Sequence, residues 1–270
     1  MTMKSPDEIR RMAEKISAVL GMTAQLVGVR LLSPEQPEPS EAETLDGHRF
    51  CQALMKARHG KNVLLNGDGL SCPAAAAAFG FKPLPEGLKS GKGLAGFGIV
   101  SDPEVGARMF EGMSRIEAGR IAAIHLFPLN RAEYMPDVVV VEDEPEKLMW
   151  IALAYLHSKG GKRISGSTAV LQATCVDSTI IPFLEKRLNY GLGCYGCRDA
   201  TDLGLSETVL GFPAEDMGGI VEHLEFLNQK AIPHSREKSA FTALKKKTCP
   251  SHSKNDSRPD DCSTTGGATT

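Results

Sequence analysis

Four consecutive valines, Val138 to Val141, constrain this chain more than any other feature. β-branched side chains suit extended backbone, and a strand without polar alternation is buried on both faces. A sheet built around such a strand needs helices on both sides, so the expected class is α/β or α+β with mixed sheets covered by helices. The remaining sequence supplies those helices. Ser5-Pro6-Asp7-Glu8 combines a capping serine, a proline at the first helical position and a glutamate at the third. Ile9, Met12, Ala13, Ile16, Val19 and Leu20 follow at helical spacing before Gly21. Further helices are predicted over 47–58, 74–79, 104–113 and 143–156. Strands are predicted over 26–32, 62–65, 121–126 and 163–166. The glycine-rich segment 82–98 reads as a loop or exposed flap, since it fits neither phosphate-loop pattern.

Two series of elements run in parallel along the chain. Each has a helix, a glycine (Gly60 or Gly161), a short strand and then a cysteine, Cys72 or Cys175. Each later reaches a closing segment, 98–104 in one and 211–216 in the other. This pattern predicts a degenerate internal duplication, 25–115 and 136–228, inside one globular domain covering 1–230. From Ala231 onward Ser, Thr, Lys, Asp and Gly dominate, and a disordered tail is expected over 231–270.

The chain carries 31 Lys and Arg against 33 Asp and Glu. That balance argues against a nucleic-acid-binding domain, which needs a strong positive field. No apolar run approaches the roughly 20 residues of a membrane-spanning helix, and Met1 to Arg10 lacks the basic-then-apolar order of a secretion signal. A soluble cytoplasmic protein is expected. In a reducing compartment its seven cysteines are buried thiols, metal ligands or reactive groups rather than a disulfide framework.

Gly193-Cys194-Tyr195-Gly196-Cys197-Arg198 is the sharpest local signal. The C-x-x-C spacing lets two thiolates grip one centre from a single turn. Gly193 and Gly196 free backbone N–H groups to face sulfur, and Arg198 offers positive charge. The pair supplies half of a tetrahedral donor set, so other ligands must come from Cys51, Cys72 or Cys175. An iron–sulfur cubane tolerates such scattered thiolates. A zinc site more often uses two knuckles. A redox dithiol places its C-x-x-C after a strand and at the start of a helix, whereas 199–204 reads here as loop. All three alternatives stay open, beside simple burial of the thiols. His48, His59 and His157 lie near helix ends and His125 in an apolar strand, with no haem-ligand spacing.

Phe50-Cys51-Gln52-Ala53-Leu54, Ala57-Arg58, Cys72-Pro73-Ala74-Ala75, Pro136 to Val141, Cys175 and the C-x-x-C segment together resemble the ArCR family, a cysteine-containing domain of unknown function from archaea and anaerobic bacteria. The similarity spans residues 5 to about 228. The resemblance implies that Cys51, Cys72, Cys175, Cys194 and Cys197 belong to the family pattern, and that Cys249 and Cys262 do not. Five thiols are one more than a [4Fe–4S] cubane needs, leaving one spare or available to a second centre such as haem. The expected function is binding a [4Fe–4S] cluster for electron transfer or an accessory role in anaerobic metabolism. It would work with a redox partner protein and without nucleic acid or membrane, with a homodimer as one possible assembly. A small-molecule or enzymatic domain with a reactive cysteine, and a zinc-stabilised interaction module, are the alternatives.

Overall fold

The computed structural model describes residues 5–248. The chain forms two units, Met1–Asn228 and Gln229–Thr270.

In the first unit, α1 (Pro6–Leu20) starts where its sequence says it should. Ser5 caps it by accepting the Glu8 N–H at 3.4 Å, and Gly21 ends it at φ 67°. The chain then runs through β1 (Val27–Leu32), β2 (Glu43–Thr44), α2 (Phe50–Arg58), β3 (Val63–Asn66) and α3 (Pro73–Ala78). Three short helices follow: α4 (Glu86–Lys89), α5 (Lys92–Gly96) and α6 (Pro103–Glu111). The glycine-rich stretch expected to be loop therefore contains two helical turns. Gly91, at φ 72°, lets α5 pack so tightly on α6 that a Cβ there would sit 1.8 Å from the Pro103 carbonyl oxygen.

Next come β4 (Ala123–Pro128), β5 (Val138–Asp143) and α7 (Pro145–Ser158). Residues 163–166, expected as a strand, have no regular structure. They lead into a π-helix, Ala173–Ile180, which continues as α8 (Ile181–Glu185). The unit closes with β6 (Asn189–Gly191), α9 (Tyr195–Ala200), β7 (Thr208–Pro213) and α10 (Met217–Gln229).

The strands form one sheet in the order β2-β3-β4-β1-β5-β7-β6. All neighbours are antiparallel except β2 and β3. The fold is α/β with a mixed sheet. The valine run forms β5, buried along its whole length. Strand alternation splits it. Val138 and Val140 join a core with α2, α3 and the π-helix. Val139 and Val141 turn to the opposite face. On that side α7 packs on β5 and β7, α10 lies against α7 at Gly219 and Ser158, and Lys15 of α1 pairs with Glu225 of α10 at 2.6 Å.

The sheet has a symmetric strand order about one residue pair. β1 and β5 meet with Gly28 opposite Val139. Outward from there, β1–β4–β3 matches β5–β7–β6. Val27 pairs with Pro128 just as Val138 pairs with Pro213. β4 and β7 both end in Phe-Pro and run into a single 3₁₀ turn. This topology relates different segments from those matched by sequence. β3 answers to β6, so the counterpart of Cys72 is Cys194 rather than Cys175, and 211–216 answers to β4 rather than to 98–104. Short apolar patches look alike in one dimension, whereas hydrogen-bond register separates them.

The second unit contains α11 (Ala231–Glu237) and α12 (Ser239–Thr248). The tail expected to lack structure from Ala231 is thus helical through Thr248, where Ala, Leu, Lys, Arg and Glu carry local helix propensity. Residues 249–270, with Cys249 and Cys262, lie outside the described residues. Among those described, no helix is long and apolar enough to cross a membrane.

Candidate functional site

Five cysteines from four separate segments line one cavity of about 290 Å³. α2 presents Cys51 one residue after its first position, on the face toward the sheet, with Phe50, Ala53 and Leu54. Cys72 is the N-cap of α3 because Pro73 fixes the first helical φ and removes a donor that would go unused. Cys175 lies in the π-helix. Cys194 is the N-cap of α9, and Cys197 lies within it. All five are free thiols; Cys72 is half-buried and the others are buried.

The C-x-x-C turn is built around its first sulfur. Cys194 Sγ accepts the Cys197 N–H at 3.2 Å, and the Thr174 hydroxyl lies 3.7 Å from Cys197 Sγ. Gly193 at φ 84° makes the entry turn, and a Cβ there would strike Leu203 at 2.9 Å. Cys175 Sγ faces the Gln172 carbonyl at 3.6 Å.

Electrostatics disfavour bare thiolates in this cavity. Burial pushes Cys175 well up, and the charges of Cys72, Cys194, Cys197 and Asp177 add to it. A hydrogen bond with Cys197, followed by burial, raises Cys194. For Cys197 the hydrogen bond with Cys194 pulls down, but one with Cys51 and burial outweigh it, leaving the thiol at about 11. These three thiols thus hold their protons against one another and against burial. Removing several protons together requires a cation among them, which is the condition a metal centre meets.

Arg198 does not supply that cation. Its guanidinium donates to the carbonyls of Leu192 at 2.5 Å, Gly204 at 2.8 Å and Glu207 at 2.8 Å, strapping the following loop. The expectation that it offsets thiolate charge is corrected on that ground: three backbone oxygens hold it away from the cavity lining. Arg49 is the cation at the cavity. It donates to the Gly196 carbonyl at 3.1 Å and pairs with Asp199 at 3.6 Å, so Gly196 serves the site through its oxygen. Only the position of Arg49, immediately before Phe50-Cys51, hinted at this role.

The C-x-x-C segment is bound to α2 along its length. Gln52 donates to the Ala200 carbonyl at 3.3 Å. Buried Arg58 pairs with Asp202 at 3.0 Å, Glu207 at 3.3 Å and Glu142 of β5 at 3.5 Å. The second wall of the cavity is apolar and was not foreseen, with Leu94, Phe97, Ile99, Phe110 and Leu171 on it. Phe97 and Tyr195 are 71% and 62% exposed and flank the opening.

Among the described residues, no three His, Cys, Asp or Glu side chains lie close enough to hold a single metal ion. A cubane differs from one ion, because it sits between its thiolates and holds them further apart. The histidines stand elsewhere. His125 is fully buried in β4, 2.6 Å from Asn62 Oδ1 and held at about 4 by burial and by Arg30, so it is a neutral core residue. His157 stacks on His223 at 3.6 Å, and His59 bonds Asp202 at 2.5 Å.

Comparison with known proteins follows the same cysteines. The profile of a family described as uncharacterised ArCR matches residues 15–223. The chain belongs to the ArCR family. An uncharacterised protein of Methanocaldococcus jannaschii is 30% identical to it over 226 residues, covering 83% of this chain and 96% of that protein. No solved structure matches the chain. All five cavity cysteines fall inside the ArCR match, whereas Cys249 and Cys262 fall outside it.

Proposed function

We propose that this ArCR protein binds a [4Fe–4S] cluster in the five-cysteine cavity, for electron transfer or an accessory role in anaerobic metabolism. The observation that carries this reading is the convergence of Cys51, Cys72, Cys175, Cys194 and Cys197 on one cavity of about 290 Å³. Each cysteine also packs as a small apolar group in the core, but five of them from four separate segments on one cavity supply the soft donors that a cluster needs. A cluster would take four of the five, with Cys72, Cys175, Cys194 and Cys197 the first choice and Cys51 the replacement. When bound, it would supply reversible one-electron chemistry. The chain itself would hold the cluster by sulfur and offset its charge with Arg49 at the rim and the N–H that already faces Cys194 Sγ. The apolar wall would keep water from it, and the exposed opening would let a redox partner protein approach.

Anaerobic reconstitution with iron and sulfide tests this. The expected product is brown, with broad visible absorbance that dithionite bleaches. Cys194→Ala and Cys197→Ala should abolish iron retention, and Cys249→Ala and Cys262→Ala should not. A colourless protein holding one zinc, or a sharp haem band with no sulfide, would overturn the reading.

One observation favours a second reading. The C-x-x-C follows strand β6 and opens α9 with Cys194 as cap, which is the arrangement of a redox dithiol. The raised thiols weigh against it, because such dithiols work through a lowered nucleophile. A Cys194–Cys197 disulfide that forms and reduces reversibly in the iron-free protein would support the dithiol.

A further inference from the structure

We propose that a second cavity, beside the thiol-lined one, binds a small amino-acid zwitterion with an apolar side chain. This goes beyond the cluster reading and does not depend on it. The cavity holds about 220 Å³, smaller than the drug-sized pockets of typical proteins. Gln172 lines both cavities, with Cys175 on the thiol side and Asp177 on this one.

Asp177 is the first indication. Its residue is 2% exposed, and among the described residues its only side-chain partner is the Thr168 hydroxyl, which donates to Oδ2 at 2.5 Å. Among the described residues no Lys, Arg or His forms an ion pair with it. A buried carboxylate without a cation is costly, and an ammonium group in the cavity would remove that cost.

The wall beside Asp177 is the second. Gln172, which lines the cavity, holds a left-handed φ of 56°, and Val170, two residues before it and outside the lining, holds 59°, a value that a β-branched valine rarely adopts. They lead directly into the π-helix, a form that recurs at functional sites. Third, Arg108 lines the same cavity, and its ion pair with Glu104 is a long 3.9 Å contact between exposed side chains. Such a pair is weak, so the guanidinium is available to grip a carboxylate by two parallel bonds. Met113, Val176 and Ile181 also line it and suit an aliphatic side chain, alongside Ser114 and Ser167.

Calorimetric titration of the full chain with L-leucine tests the proposal, with isocaproate and isoamylamine as analogues lacking the ammonium and the carboxylate. Leucine should bind, and each analogue should bind at least about tenfold more weakly, as expected when one charged hydrogen-bond set is lost. Arg108→Gln, on an exposed helix face and therefore harmless to folding, should weaken leucine at least about tenfold while leaving isoamylamine unchanged. Asp177→Asn should weaken leucine and leave isocaproate unchanged. Absence of leucine binding to the unaltered chain, or equal leucine binding by the unaltered chain and Arg108→Gln, would overturn it. Iron content measured on the same samples reports separately on the cluster.

Discussion

Residues of one type behave differently here according to what surrounds them. Cys197 stands at about 11 because it is buried and hydrogen-bonded to Cys51, despite the pull of Cys194. At neutral pH its thiolate fraction is then about a hundredfold below that of an ordinary cysteine, which slows nucleophilic reaction in proportion. Alkylation of the iron-free protein by iodoacetamide, followed by peptide mapping, should modify Cys197 at least about a hundredfold more slowly than an unfolded control. Equal rates would contradict this account of its surroundings. Glu142 offers a second test, away from the sulfurs. Burial raises its carboxyl to about 7, even though Arg58 pulls it down, and Glu207 and Asp202 push it further up. The folded chain therefore takes up a proton at Glu142 between its ordinary 4.5 and about 7. The associated stability is complete below the lower value and is lost as pH rises through the higher one. Urea unfolding at pH 5 and pH 8 should show that Glu142→Gln lacks a fall on the order of 3 kcal/mol that the native chain suffers from this group. An unchanged pH dependence would contradict it.

At the scale of elements, close packing holds the cysteine-bearing segments in place. β7 presses against the π-helix so tightly that a Cβ on Gly211 would lie 1.8 Å from the Ser178 carbonyl oxygen. Gly211→Ala should cost roughly 1–3 kcal/mol in urea unfolding and should lower iron retention by displacing Cys175. Full retention would mean that the π-helix does not position a ligand. Helix starts were legible in the sequence because capping is local: Ser5 and Pro6 announced α1, and Cys72-Pro73 announced α3. The valine run announced β5 for the same reason, since its burial is written in consecutive residues. Other elements were not legible. The π-helix has no local signature, as its geometry depends on fitting between α2 and β7. The stretch 199–204, which the sequence reads as loop, is non-helical from Thr201 on, and only Asp199 and Ala200 belong to α9, whose turn is stabilised by the Cys197 N–H on sulfur and by Arg49 beside α2. The first is local to the C-x-x-C, whereas the Arg49 contact spans 147 residues and cannot be seen along the chain.

For the molecule as a whole, the sheet brings distant segments together. α2, the turn before α3, the π-helix and the β6–α9 turn all meet on one face, where Val138 and Val140 form the base of the same core. Which cysteines belong together was legible from the C-x-x-C and the family pattern, because sulfur chemistry narrows the choice of partners. The apolar wall of the cavity and the use of Arg49 in place of Arg198 were not, since each follows from tertiary packing. The symmetric strand order sets Cys72 and Cys194 at matching helix starts on that face. The most direct test is iron and acid-labile sulfide measured per chain after anaerobic reconstitution, in the native protein and in Cys194→Ala. About four of each per native chain, and essentially none in the variant, is the predicted result; equal iron in both, or one zinc with no sulfide, would contradict it.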